Sequence, residues 1–206
     1  MPEAHPPRHT RPPREFNDLY AGTPPWDIGR PQPAFQALAD DGELRGRVLD
    51  AGCGTGEHTL MAARVGFDAT GIDAAVAAIA LAQTKARERG IQARFLVHDA
   101  LQLASLDGPF DTVLDSGLFH VFGDDDLPIY VDSLKSAVVT GGRYFMLCFS
   151  DRQPGSGRPG PRRVTENEIR TSFADGWRID SIERTTIQSV MDPPEIQAWL
   201  ARITRT

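Results

Sequence analysis

Residues 48–60 read VLDAGCGTGEHTL, an apolar run that breaks directly into glycines at 52, 54 and 56. Glycine loses more conformational freedom on folding than any other residue. Such density therefore marks a backbone that needs positive φ or the close approach of another group. A strand that ends in a glycine loop and continues as a helix opens a doubly wound α/β sheet. In such sheets ligands bind beyond the carboxyl ends of the strands.

The rest of the chain repeats that alternation. RVLDA (47–51), DATGID (68–73), ARFLVHD (93–99), FDTVLDSG (110–117) and RYFMLCFS (143–150) read as strands. Between them lie helical stretches at 56–66, 74–90 and 124–142, two of them stopped by Gly66 and Gly90 and the third opened by acidic residues. TENEIRTSFADG (165–176) carries a capping box, Thr165 with Glu168. WRIDSIERTTI alternates as a strand, AWLARITR is taken as a closing strand, and DPPE (192–195) as a turn. Regular strand–helix alternation implies a mostly parallel Rossmann-like sheet with helices on both faces. PAFQALADDGEL reads as a short helix after a proline-punctuated loop, TPPWDIGRPQPAF, which holds Trp26.

The 206 residues suit one domain. Residues 1–14, with five prolines and three arginines, are expected to be a disordered leader without the apolar region of a secretory signal, and 15–206 a single domain. The net charge of -6 disfavours nucleic acid and anionic membrane, which reward basic surfaces. No apolar run approaches a membrane span. Cys53 and Cys148 are far apart and outside any CxxC pair, which points to a reducing, cytoplasmic setting. No metal-ligand cluster is visible.

Two ligand classes compete for the glycine loop. A dinucleotide loop wants G-x-G-x-x-G, but the third position here is Glu57. A carboxylate there would repel a pyrophosphate by about 1–4 kcal/mol at close range. No GK[ST] follows, which excludes a P-loop. S-adenosylmethionine carries an ammonium and a sulfonium and no phosphate, so acids near the loop help it. Asp50 ends the first strand, Asp73 the second and Asp99 the third. They suit the methionine part, the ribose hydroxyls and the adenine amino group. Asp73 alone does not discriminate, since both ligand classes place an acid there.

LDAGCGTGEHT, GID, HDA and FDTVLDSG resemble, in that order, the four motifs of class I S-adenosylmethionine-dependent methyltransferases. PPWDIGRPQPAF resembles the tryptophan-bearing segment of the thiopurine, tellurite and halide types and of bacterial methyltransferases of heterocyclic toxins. The resemblance implies a seven-stranded sheet and S-adenosylhomocysteine as product. It places Trp26, Asp50, Gly52, Cys53, Gly54, Gly56, Asp73, Ala74, Asp99, Ala100 and Asp115 at the cofactor. Residues 15–45 become a lid over it.

Methyl transfer from a sulfonium needs chiefly an acceptor held in line, with a base only where the nucleophile arrives protonated. His120, after the fourth strand, is the candidate base, against a histidine that merely bonds within its loop. Tyr20, Phe119, Phe122 and Arg152 are candidate acceptor contacts, and 151–163 a second lid. Asp115-Ser116-Gly117-Leu118 lacks the [DNS]PP[YW] pattern of DNA-base methylation. The expected partner is a small apolar or heteroaromatic molecule, and the expected assembly a monomer or homodimer. A non-catalytic S-adenosylmethionine sensor and a NAD-dependent dehydrogenase remain alternatives.

Overall fold

Val48, Leu49 and Ala51 are fully buried in β1 (Arg47–Ala51) of the computed structural model, which describes residues 13–154 and 162–206. Around this central strand lie β2 (Asp68–Asp73), β3 (Arg94–Val97), β4 (Phe110–Ser116), β5 (Val138–Phe149), β6 (Trp177–Gln188) and β7 (Glu195–Arg205). They form one seven-stranded sheet in the order β3-β2-β1-β4-β5-β7-β6. The pairs from β3 through β5 are parallel, whereas β7 runs antiparallel to β5 and to β6. The order reverses between β1 and β4, and crevices for ligands open at such a switch.

Helices α1 (Pro13–Leu19), α2 (Pro33–Asp40), α3 (Glu57–Arg64), α4 (Val76–Arg89), α5 (Asp126–Ala137) and α6 (Glu166–Ser172) complete the chain. One face of the sheet packs Leu49, Ala51, Val113 and Tyr144 against Leu127, Tyr130 and Leu134 of α5. The other packs Val48, Leu114 and Phe145 against Met61 of α3 and Phe35 of α2. The expected capping box is present: Thr165 Oγ1 accepts from Glu168 N–H, and Glu168 Oε2 from Thr165 N–H. Among the described residues no helix is long and apolar enough to cross a membrane.

Several boundaries shift by a few residues from the expectations, and two differences have a plain physical cause. The helix expected over 124–142 ends at Ala137, because Val138, Val139 and Thr140 are β-branched and begin β5. A helix, α1, takes in Pro13 and Arg14 at the end of the expected leader, proline being tolerated in a first helical turn. The remainder of the leader, 1–12, lies outside the described residues.

Candidate active site

Beyond β1 the chain turns through Gly52 at φ 69°, where a Cβ would lie 3.1 Å from Leu118. Gly54 N–H donates to Asp73 Oδ2 at 2.9 Å, and Ala75 N–H to Asp73 Oδ1 at 2.8 Å. The acid that ends β2 thus clamps the glycine loop to the start of α4. Two of its four lone-pair positions remain, the number a pair of vicinal hydroxyls requires. Burial raises its pKa above the usual carboxylate range. Ala74 beside it is exposed.

Asp50 is 1 % exposed. Its Oδ2 accepts from Thr59 N–H at 3.0 Å and Thr59 Oγ1–H at 2.7 Å, while Oδ1 is buried with no hydrogen-bond partner. Burial pushes this carboxyl up to about 7. A buried acceptor left unpaired costs about 1–3 kcal/mol until a donor arrives. Asp99 is exposed and caps the short 3-10 turn Ala100–Ser105, its Oδ1 accepting from Leu101 N–H at 2.9 Å. Ala100, the first residue of that turn, is buried. The Cys53 side chain packs with Leu60, Ile79 and Phe95, which leaves only its backbone for a ligand.

The N-terminal segment closes over this loop. A Cβ on Gly54 would stand 3.0 Å from Tyr20 Oη and 4.0 Å from Trp26 Nε1, and Trp26 Nε1–H donates to Tyr20 Oη at 3.2 Å. Trp26 remains 39 % exposed, so it does not plug the core. Tyr20, expected at the acceptor, instead packs with Ala75 and Ala78 beside the glycine loop. The methyl of Ala75 cannot accept a hydrogen bond to cap α4, and Asn17 supplies the cap from a distance, its Oδ1 accepting from Ala77 N–H at 3.0 Å.

Glu57 corrects the sequence reasoning. Its carboxylate faces α4, taking two bonds from Arg89 at 2.7 and 2.8 Å and one from Lys85 at 2.8 Å. Lys85 also reaches Thr55, which donates to Asp27 of the N-terminal segment. Burial alone would raise the Glu57 pKa, but these cations hold it below the usual range. The group is neutralised and does not confront a ligand over the loop. Glu57→Gln is therefore expected to lower stability by about 1–3 kcal/mol without conferring NAD binding. Thermal melts and titration calorimetry measure the two effects.

Past β4 the structure overturns several expectations. Asp115 is 0 % exposed and accepts from Leu118 N–H, Phe119 N–H, Tyr130 Oη–H and Tyr144 Oη–H. It is a saturated core group that shapes the loop, not a cofactor contact. Phe119 stacks on Phe173, and Phe122 packs on Tyr130, both buried in the core. Arg152 lies over the Trp199 ring at 5.5 Å. His120 is 5 % exposed, stacks on Phe149 at 4.3 Å, and accepts Phe149 N–H at Nδ1 over 3.0 Å. Burial pushes its pKa down to about 3. A neutral ring that accepts at Nδ1 carries its proton on Nε2. That arrangement leaves no basic nitrogen to take a proton, contrary to the expected role.

A profile of the methyltransferase domain matches residues 48–142. The 2-heptyl-1-hydroxyquinolin-4(1H)-one methyltransferase of Mycobacteroides abscessus is 39% identical over 82% of this chain and 74% of its own. The chain belongs to the S-adenosylmethionine-dependent methyltransferases. A solved structure described for conversion of a disulfide bond into a thioacetal group during echinomycin biosynthesis has a TM-score of 0.85 and 39% identity, covering 94% of this chain and 93% of that one. The 1,6-didemethyltoxoflavin-N1-methyltransferase of Burkholderia thailandensis shares the fold, with a TM-score of 0.71 and 22% identity over 94% and 87% of the two chains.

The residues present in this methyltransferase fit its cofactor. The orphaned Oδ1 of Asp50 suits the ammonium of the methionine part, the two lone-pair positions left on Asp73 suit the ribose hydroxyls, and the exposed Asp99 suits the adenine amino group. Sequence reasoning missed Thr59, Asn17, Asp27 and Leu118, which hold Asp50, α4, Thr55 and Gly52 in turn. No pattern in the chain announces them, because each acts across a tertiary contact.

Proposed function

We propose that the methyltransferase acts on the oxygen, nitrogen or sulfur of a small apolar or heteroaromatic molecule, with detoxification as one use. The observation that carries this reading is Trp26, an aromatic ring standing at Gly54 and 39 % exposed. Val190 and Met191, also exposed, are tied to the residue before it by Val190 N–H and Ser189 Oγ–H, both donating to Pro25 O. Apolar walls with few polar groups are the usual lining of small-molecule sites. The hydroxyquinolone substrate named for the Mycobacteroides abscessus relative is of this class.

The cofactor supplies a methyl already activated on a sulfonium. What remains for this chain is to hold the acceptor in line and exclude water. We assign the cofactor to Gly52, Gly54, Gly56, Asp50, Asp73 and Asp99, and its cover to the segment 15–45. The segment 151–163 is proposed as a second cover. Its ends are held by Arg162 N–H on His120 O and by Arg163 on Gln153 O. Residues 155–161, including Arg158, lie outside the described residues. The unpaired, buried Cys53 and Cys148 suit a reducing cytoplasm, and the net charge of -6 is unsuited to nucleic acid.

S-adenosylhomocysteine release across hydroxyquinolones, phenols and thiols tests the reading. Turnover is expected with at least one of these classes and none with oligonucleotides. Tight S-adenosylmethionine binding without product from any acceptor would favour the sensor alternative.

A further inference from the structure

We infer that His120 meets the acceptor as a fixed Nε2–H donor, and that the enzyme selects acceptors whose reacting atom is already ionised. This rests on the methyltransferase reading above and adds a substrate class to it.

Three contacts hold the ring. Nδ1 accepts from Phe149 N–H at 3.0 Å, the ring face stacks on Phe149, and the His120 carbonyl accepts from Arg162 N–H at 3.0 Å. The opposite edge abuts Gly117, where a Cβ would meet Cε1 at 3.2 Å and Nε2 at 3.3 Å. Gly117 sits at the carboxyl end of β4, and the next residue, Leu118, packs over Gly52 of the cofactor loop. Among the described residues Nε2 has no hydrogen-bond partner.

A base would need Nε2 bare. Its proton would then sit on Nδ1, facing the Phe149 N–H across 3.0 Å with two donors and no acceptor. Imidazolium meets the same conflict, and no carboxylate among the described residues compensates. Asp115 is engaged by Tyr130 and Tyr144, while Asp124 and Glu168 pair with Arg162. The low pKa of His120 agrees with this geometry.

A donor at that position holds an anion well and a protonated hydroxyl poorly. It also ties up the single lone pair of a neutral amine. The favoured acceptors are therefore acidic: N-hydroxy heteroaromatics, acidic phenols and thiols. Their proton leaves to solvent before transfer. One lone pair of the anion forms the bond to the methyl carbon, another accepts from Nε2–H, and the carbon–sulfur pair stays on sulfur. An anion and a sulfonium give two neutral products, so no proton has to be taken up.

Two measurements test this. Side-chain nitrogen NMR of the folded protein reads the His120 tautomer with no acceptor present, so it stands apart from the assignment of function. The expected result is Nε2–H throughout about pH 5–8, the range over which an ordinary histidine titrates. An Nδ1–H tautomer, or a midpoint of 6 to 7, would overturn the inference. For any acceptor that turns over, the lower limb of kcat/KM should follow that acceptor's own acidity across a substituted series. A limb fixed near pH 6.5 for every acceptor would restore the base. His120→Gln, which keeps an N–H near Nε2, is expected within about 10-fold of wild type, and His120→Phe about 100-fold or more below it. Equal losses in the two variants would contradict the donor role.

Discussion

Asp115→Ala is expected to lower the melting temperature by about 10 °C, corresponding to about 3–5 kcal/mol in a domain of this size. The carboxylate answers two tyrosine hydroxyls and two backbone N–H groups, all inside the core. Its removal strands those donors, and each buried unsatisfied donor costs about 1–3 kcal/mol, less than additively. The site also carries a pH signature. Burial, working against those donors, pushes Asp115 up to about 6, above the 3.8 of an ordinary aspartate. A raised acid binds more protons folded than unfolded. Its contribution is full below about pH 4 and is lost as the pH rises through about 6. Asp115→Asn should flatten that part of the stability profile. A melting temperature within a degree or two of wild type for Asp115→Ala would show that the loop after β4 is held by other contacts.

Asp73→Ala is expected to weaken S-adenosylmethionine binding by about 100-fold or more, the worth of two hydrogen bonds to a charged acceptor. The same side chain takes Gly54 N–H and Ala75 N–H, so its loss also unfastens the glycine loop from the start of α4. Asp73→Asn separates the two effects. The amide keeps one of the two backbone bonds, turns its NH2 toward the other N–H, and lacks the lone pairs and charge that a diol needs. It should lose less stability than Asp73→Ala while binding as weakly. Near-normal affinity in both variants would remove the ribose assignment.

The glycine loop and the acids at strand ends were legible because strand, turn and helix announce themselves locally. What the sequence could not disclose was the face a side chain takes. Asp50 and Asp115 both sit near the carboxyl end of a central strand. The β1–β4 register pairs Asp50 with Leu114 and Ala51 with Asp115, so the two acids lie on opposite faces of the sheet. Asp50 meets α3 through Thr59, whereas Asp115 meets Tyr130 of α5. A register offset of one residue is invisible without the partner strand. Phe119 and Phe122 were misplaced for the same reason, since loop aromatics after β4 can turn toward the cleft or toward α5 and α6. Glu57 stands where a dinucleotide loop would have glycine, but Lys85 and Arg89, which claim its carboxylate, lie about a helix and a strand further along the chain, so its turn away from the loop does not show in the sequence. The helix α1 escaped notice because its proline-rich approach looks like disorder, and Asn17 discloses its capping role only against Ala77.

The most direct measurement is titration calorimetry of the wild-type chain with S-adenosylhomocysteine and, separately, with NAD. One site for S-adenosylhomocysteine is expected, weakened by about 100-fold or more in Asp73→Ala, with no heat from NAD. Binding of NAD with none of S-adenosylhomocysteine would contradict this expectation.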